Sequence, residues 1–124
     1  MQAHSLSAVV FTSPDPARLA AFYSRHLGLG FAAHRHDDGP EHQEARLGDM
    51  RFAVVPGPTL EPVGRSGVSP TFLVNGLDAF VEALGADGVE LRAPIRTLGP
   101  GRRLALFQDI DGNGFQLLDL GFTV

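Results

Sequence analysis

Phe107-Gln108-Asp109-Ile110-Asp111-Gly112-Asn113-Gly114-Phe115-Gln116-Leu117-Leu118 carries the clearest architectural signal in the chain. An Asp-Gly-Asn turn lies between two apolar runs, the pattern of a β-hairpin. The same residues match the first half of an EF-hand calcium loop, Asp109-x-Asp111-x-Asn113-Gly114. The match ends there. The twelfth position is Leu120, not the bidentate Glu that closes a calcium shell, and the flanks read as strands rather than helices. The hairpin is the better reading.

The rest of the chain says one thing twice. Leu6 to Phe11 is a strand, and a helix follows Thr12-Ser13-Pro14-Asp15-Pro16. Leu19, Phe22, Tyr23, His26 and Leu27 fall at i, i+3, i+4, i+7 and i+8, one buried face, and Gly28 ends the helix. Gly30 to His36 and His42 to Leu47 flank a polar turn at Asp37-Asp38-Gly39-Pro40. Gly48-Asp49 then turns the chain into Met50 to Val55. In the second half Thr71 to Val74 is a strand. Leu77, Phe80, Val81 and Leu84 repeat the helical spacing, and Gly85 and Gly88 close the helix. Val89-Glu90-Leu91 is extended, and Leu104 to Leu118 makes the final hairpin. Each half therefore reads β-α-β-β-β. The chain is expected to form one domain: module one at about 4–56, a Pro- and Gly-rich linker at about 57–68, and module two at about 69–121.

Bulk composition narrows the function classes. With 124 residues, 44% of them apolar, the chain suits one modest core. A formal charge of −4 argues against a nucleic-acid partner and mildly favours a cationic ligand. The absence of cysteine excludes disulfides, thiolate catalysis and Cys zinc sites. No apolar run approaches the roughly 20 residues of a membrane span. Met1-Gln2-Ala3-His4-Ser5 lacks a signal peptide's basic start, so a cytoplasmic location is expected and a membrane partner is not. Neither a Gly-x-Ser-x-Gly nucleophile elbow nor a phosphate loop is present.

Four side chains stand out. Folding about Asp38-Gly39 sets His36 opposite His42 and His34 opposite Glu44, all on one side of a hairpin. That is the ligand chemistry of a divalent zinc, nickel, manganese or iron site. The competing reading is a solvated polar face beside a turn. His26 reads as a helix C-terminal residue that complements the helix dipole. Arg102-Arg103 precedes a strand, and Arg103 is a candidate to hold a carboxylate or phosphate, against the plainer reading of surface charge.

The duplicated pattern resembles the vicinal oxygen chelate superfamily, which holds glyoxalase I, extradiol dioxygenases, methylmalonyl-CoA epimerase, fosfomycin-resistance enzymes and bleomycin-binding resistance proteins. Phe22-Tyr23-Ser24-Arg25-His26-Leu27-Gly28-Leu29 resembles that family's Phe-Tyr...Leu-Gly helix end. Leu77-Asp78-Ala79-Phe80 resembles its second helix start. Asp109-Ile110-Asp111-Gly112-Asn113 resembles its Asp-Pro-Asp-Gly-Asn turn, with Ile110 in place of Pro. The resemblance implies an α+β fold in which two βαβββ modules form a cup-shaped mixed sheet.

Metal enzymes of that family place four ligands on strands facing the cup. The resemblance puts these frames at Ala8, Ala53, Ser69 and Gln116. Ala cannot ligate, Ser is a poor ligand for a divalent ion, and neutral Gln is weaker than a carboxylate. All five histidines lie at or before His42, so the second half supplies none. The implied cup is lined by Ala8, Val10, Ala53, Ser69, Thr71, Arg103 and Gln116, neutral and partly apolar, with no residue marked as catalytic. A metal-free protein that binds a small molecule, resembling the homodimeric bleomycin-binding branch that protects by antibiotic sequestration, is the expectation. The alternative is a metal-dependent lyase, isomerase or dioxygenase with the metal relocated to His34, His36, His42 and Glu44.

Overall fold

The computed structural model describes residues 1–36, 38–58 and 68–124. Asp37 and most of the expected linker, 59–67, lie outside them. The elements run β1 (Ala8–Ser13), α1 (Pro16–Leu27), β2 (Ala32–His34), β3 (His42–Leu47), β4 (Met50–Pro56), β5 (Thr71–Leu73), α2 (Leu77–Ala86), β6 (Arg96–Gly99), β7 (Arg102–Gln108) and β8 (Gly114–Asp119). The chain divides into two compact units, Met1–Leu60 and Glu61–Val124. Each holds one helix and one four-stranded mixed sheet. The strand orders are β1-β4-β3-β2 and β5-β8-β7-β6. These are the two βαβββ modules of the expected α+β fold.

In the first unit Asp15 caps α1 by accepting from Arg18 N at 3.1 Å, and Pro16 occupies the first helical turn, where its missing N–H costs nothing. Gly28 ends the helix at φ 70, and its N–H bonds the Ser24 carbonyl at 3.0 Å. Leu19 and Tyr23 are fully buried. Tyr23 meets Phe11 of β1 and Phe52 of β4 at ring distances of 6.2 and 5.0 Å. Alternation then fixes the faces. Val9, Phe11, Ala45, Phe52 and Val54 point toward α1; Ala8, Val10, Glu44, Arg51 and Ala53 point away.

The second unit follows the same logic with different parts. α2 has Gly76 at its N-cap and no side-chain cap of its own. Asp119, at the end of β8, supplies one, accepting from Leu77 N at 3.0 Å. Its neighbour across the ladder, Arg103, donates to Asp78 of α2 at 2.9 Å. Both therefore mark the helix side of the sheet, with Ala105, Phe107, Phe115 and Leu117 of the same alternation buried beneath α2. Leu104, Leu106, Gln116 and Leu118 face the other way.

Two expected elements differ. Val89-Glu90-Leu91 is not a strand: Val89 N bonds back to Leu84 O at 2.9 Å, so the segment finishes the helix end instead of extending. The strand in that place is β6, later in the chain. Gly85 lies inside α2, where Asp87 is the C-cap; Gly88 follows at φ 80. Phe80 and Val81 are only half-buried, while Leu77 and Leu84 are buried fully. Among the described residues no helix is long and apolar enough to cross a membrane.

Candidate functional site

The opening hairpin turn closes on itself. Asp109 Oδ1 accepts from Asp111 N at 2.9 Å and Asn113 N at 3.0 Å, and the Asn113 amide donates to both Asp109 oxygens. Oxygens spent on local N–H groups build a turn rather than a calcium cage.

The imidazole cluster is real, in a different register. β2 and β3 pair His34 with His42 and Ala32 with Glu44, so the ladder is offset by two residues from the expected His36–His42 and His34–Glu44 pairs. The turn is longer than Asp38-Gly39 alone, and His36 lies beyond the end of β2. A two-residue offset preserves alternation, so His34, His42 and Glu44 still share a face. His36 returns to it from the turn, where its carbonyl accepts from Gly39 N at 2.9 Å.

Glu44 is the hub. Its Oε1 lies 3.0 Å from His36 Nε2, 2.9 Å from His42 Nε2 and 3.4 Å from Arg51 Nη1. The Glu44 side chain is 13% exposed, His42 9% and His36 61%. Hydrogen bonds from His36 and then His42 hold the Glu44 carboxyl down to about 2; burial opposes this and the Arg51 charge assists it. His42 Nδ1 faces the Pro40 carbonyl at 3.3 Å. The His36 and His42 rings lie 4.9 Å apart, and His34 stacks on His36 at 6.2 Å. The ligand atoms of His36, His42 and Glu44 all fall within 4.8 Å of one another, and His34 is not part of that group. Arg51 was missed from sequence, although it stands two residues before Ala53 in β4 and so on the same face.

The other expected lining residues divide between the units. In the first, Val10 pairs with Ala53 and Ala8 with Arg51 on the face away from α1. In the second, Thr71 pairs with Gln116, and Thr71 Oγ1 donates to Gln116 Oε1 at 2.8 Å. The Ser69 hydroxyl is buried with no hydrogen-bond partner among the described residues. It would stand 3.5 Å from a Cβ on Gly114, an ordinary van der Waals contact. Arg103 does not join this face. Its bond to Asp78 carries it to the α2 side of the sheet and raises its own pKa further. The strand order alone did not reveal which parity faces the helix; Asp119 and Asp78 decide it. A shallow groove of about 530 Å³ runs along α1 past Ala20, Ser24, Phe31 and Gln43, on the side of the sheet away from the histidines.

A family model described as the Glyoxalase/Bleomycin resistance protein/Dioxygenase superfamily matches residues 5–117. Similar solved structures include the manganese-bound E126Q mutant of the fosfomycin resistance protein FosX from Listeria monocytogenes, at 21% identity and TM-score 0.75, covering 99% of this chain and 94% of that one. FosX from Mesorhizobium loti is 23% identical, with TM-score 0.73 and coverage of 99% and 95%. The oxidase ChaP-H2 is 17% identical, with TM-score 0.67 and coverage of 95% and 94%. The sequence matches none of the curated proteins.

Proposed function

This chain belongs to the Glyoxalase/Bleomycin resistance protein/Dioxygenase superfamily, and we propose that within it the protein binds a small molecule without metal at the superfamily's usual ligand frames. The observation that carries this reading is the Thr71–Gln116 bond. At the frame where the metal enzymes keep a carboxylate, Gln116 instead turns its only side-chain acceptor oxygen to a neighbouring hydroxyl. Ala8, Ala53 and Ser69 at the other frames supply no strong ligand either. A manganese ion like that in FosX does not fit this donor set.

Around Thr71 and Gln116 the second sheet presents Leu73, Leu106 and Leu118 on the face away from α2. Leu73 is 49% exposed. An apolar surface with a few fixed polar groups suits recognition by shape and hydrogen bonding. Among the described residues it offers no general base aimed at a carbon acid. Sequestration of a small, preferably cationic molecule, an antibiotic among the candidates, is the activity this supports, in a homodimer.

The test is calorimetric titration with bleomycin-type glycopeptides and with small oxoacids, beside sedimentation to establish the dimer. Saturable binding with the ligand recovered chemically unchanged is expected. Thr71→Val with Gln116→Ala should weaken it at least about tenfold, roughly the loss of one or two hydrogen bonds to the ligand. Catalytic turnover of a bound compound, or binding indifferent to the double variant, would defeat the reading.

A further inference from the structure

We propose that His36 Nε2, His42 Nε2 and Glu44 Oε1 form a binding site for one divalent first-row transition ion of the zinc class, with an open coordination position toward solvent. The site belongs entirely to the β2–β3 hairpin of the first unit. It uses none of the superfamily's four frames, although Glu44 lies across the ladder from Ala53.

Two of the three ligand-atom separations already suit one ion, and rotation of His36 would set the third. Bond lengths of about 2.0–2.1 Å to nitrogen and oxygen set tetrahedral ligand atoms about 3.3 Å apart. The two nitrogen-to-Oε1 separations are 3.0 and 2.9 Å. His42 is buried and Glu44 nearly so, which fixes two ligands. His36 is 61% exposed and adjusts by rotation.

The surroundings of His42 are compatible with a metal ligand. A neutral imidazole carries one N–H. Nδ1 faces the Pro40 carbonyl, which can only accept, and Nε2 faces a carboxylate oxygen, which also can only accept. With the proton on Nδ1 and donated to Pro40, Nε2 turns its lone pair toward Glu44 Oε1 2.9 Å away, and an ion bound by both atoms would replace the hydrogen bond that the other protonation states make there. A metal-ligating His normally donates its remote N–H to a backbone carbonyl, the arrangement His42 has with Pro40. Glu44 Oε1 meanwhile gathers three nitrogens, more than one oxygen accommodates well. A dication replaces two of those contacts with coordination bonds and releases any ring protons.

The donor set selects the ion. Two imidazoles and one carboxylate, without thiolate, suit zinc, nickel, cobalt or iron(II) and disfavour calcium and magnesium, which prefer all-oxygen shells. Three protein ligands leave a position for water or substrate, as catalytic rather than structural sites do. One feature opposes binding: Arg51 stands 3.4 Å from the same oxygen and repels a dication. Its side chain is 44% exposed, so it has room to swing away.

Untagged protein stripped with chelator tests the site, titrated with Zn(II) against a chromophoric chelator and with Co(II) read by its visible d–d absorption. One equivalent per chain is expected, with a tetrahedral or five-coordinate cobalt spectrum. His36→Ala, His42→Ala and Glu44→Gln should each lower affinity at least about tenfold. His34→Ala should change it less than any of these. Arg51→Ala should tighten binding, a direction that a merely structural cluster does not predict. Circular dichroism checks that each variant folds, and exposed His36 can be removed without touching the core. Lack of saturable binding, unchanged affinity in both His36→Ala and Glu44→Gln, or an Arg51→Ala that weakens binding would overturn the site.

Discussion

β3 and β7 hold the same place in their sheets, third along from β1 and β5, yet they present opposite chemistry. On the face away from the helix β3 carries His42 and Glu44 beside Arg51 of β4, while β7 carries Leu104 and Leu106 beside Gln116 of β8. The helix side of both strands is apolar at the centre, with Ala45 on one and Ala105 with Phe107 on the other. Packing under the helix constrains one face in the same way in each unit. The other face is free to diverge, and it has diverged into a charged imidazole–carboxylate cluster in one unit and a neutral, leucine-rich surface in the other.

A second contrast lies in the helix starts. α1 is capped by the residue just before it, Asp15. α2 is capped by Asp119, 42 residues further along the chain, which also accepts from Gly121 N at 2.8 Å. The first helix can form its N-terminus locally; the second completes its own only when β8 is in place.

Three substitutions bear on these contrasts. The largest effect should come from Phe107→Ala, which empties the helix side of the second sheet where Phe107 stacks on Phe115 at 5.5 Å. A loss of about 3–5 kcal/mol by urea unfolding is expected; a loss under 1 kcal/mol would mean the shared apolar face is not what holds that unit.

Asp119→Asn should come next and should carry a pH signature. Hydrogen bonds from Leu77 N and then Gly121 N depress the Asp119 pKa below the usual carboxylate range. A carboxyl with a folded pKa below its unfolded value stabilises the protein above the unfolded pKa. That contribution is lost as pH falls from there through the folded value. Acid titration of wild type and variant should therefore show a stability gap at neutral pH that closes at low pH. A gap constant with pH would refute the long-range cap. Asp15→Ala should have the smallest effect, about 1 kcal/mol as for an ordinary N-cap. If it exceeds the effect of Asp119→Asn at neutral pH, the local cap matters more than the distant one and the contrast between the helices inverts.

The parts legible in sequence were those governed by local rules. The Asp109–Asn113 turn, the Asp15-Pro16 start and Gly28 end of α1, and the repeated helix spacing each use residues close in the chain. The histidine cluster was legible because alternation has a period of two: the offset of two residues moved every pair and left the shared face intact. Val89–Leu91 misled because its β-branched and apolar residues suit a strand, while the carbonyl at the end of α2 claimed its first N–H. β6 went unread because Arg96, Thr97 and Leu98 are all exposed and show no alternation. Arg103 was assigned to the wrong face because strand periodicity gives two faces without saying which one the helix covers.

The repeat, the turns and the apolar stripes follow from local sequence, because glycine, proline, Asx capping and hydrophobic spacing act through neighbours along the chain. Three contacts emerge from the folded chain alone: His36 returns from its turn to the same oxygen as His42, Arg51 joins them from β4, and Asp119 completes a helix 42 residues away. Those outcomes depend on turn length and cross-strand register, where a shift of one residue redirects every side chain while the local pattern stays the same.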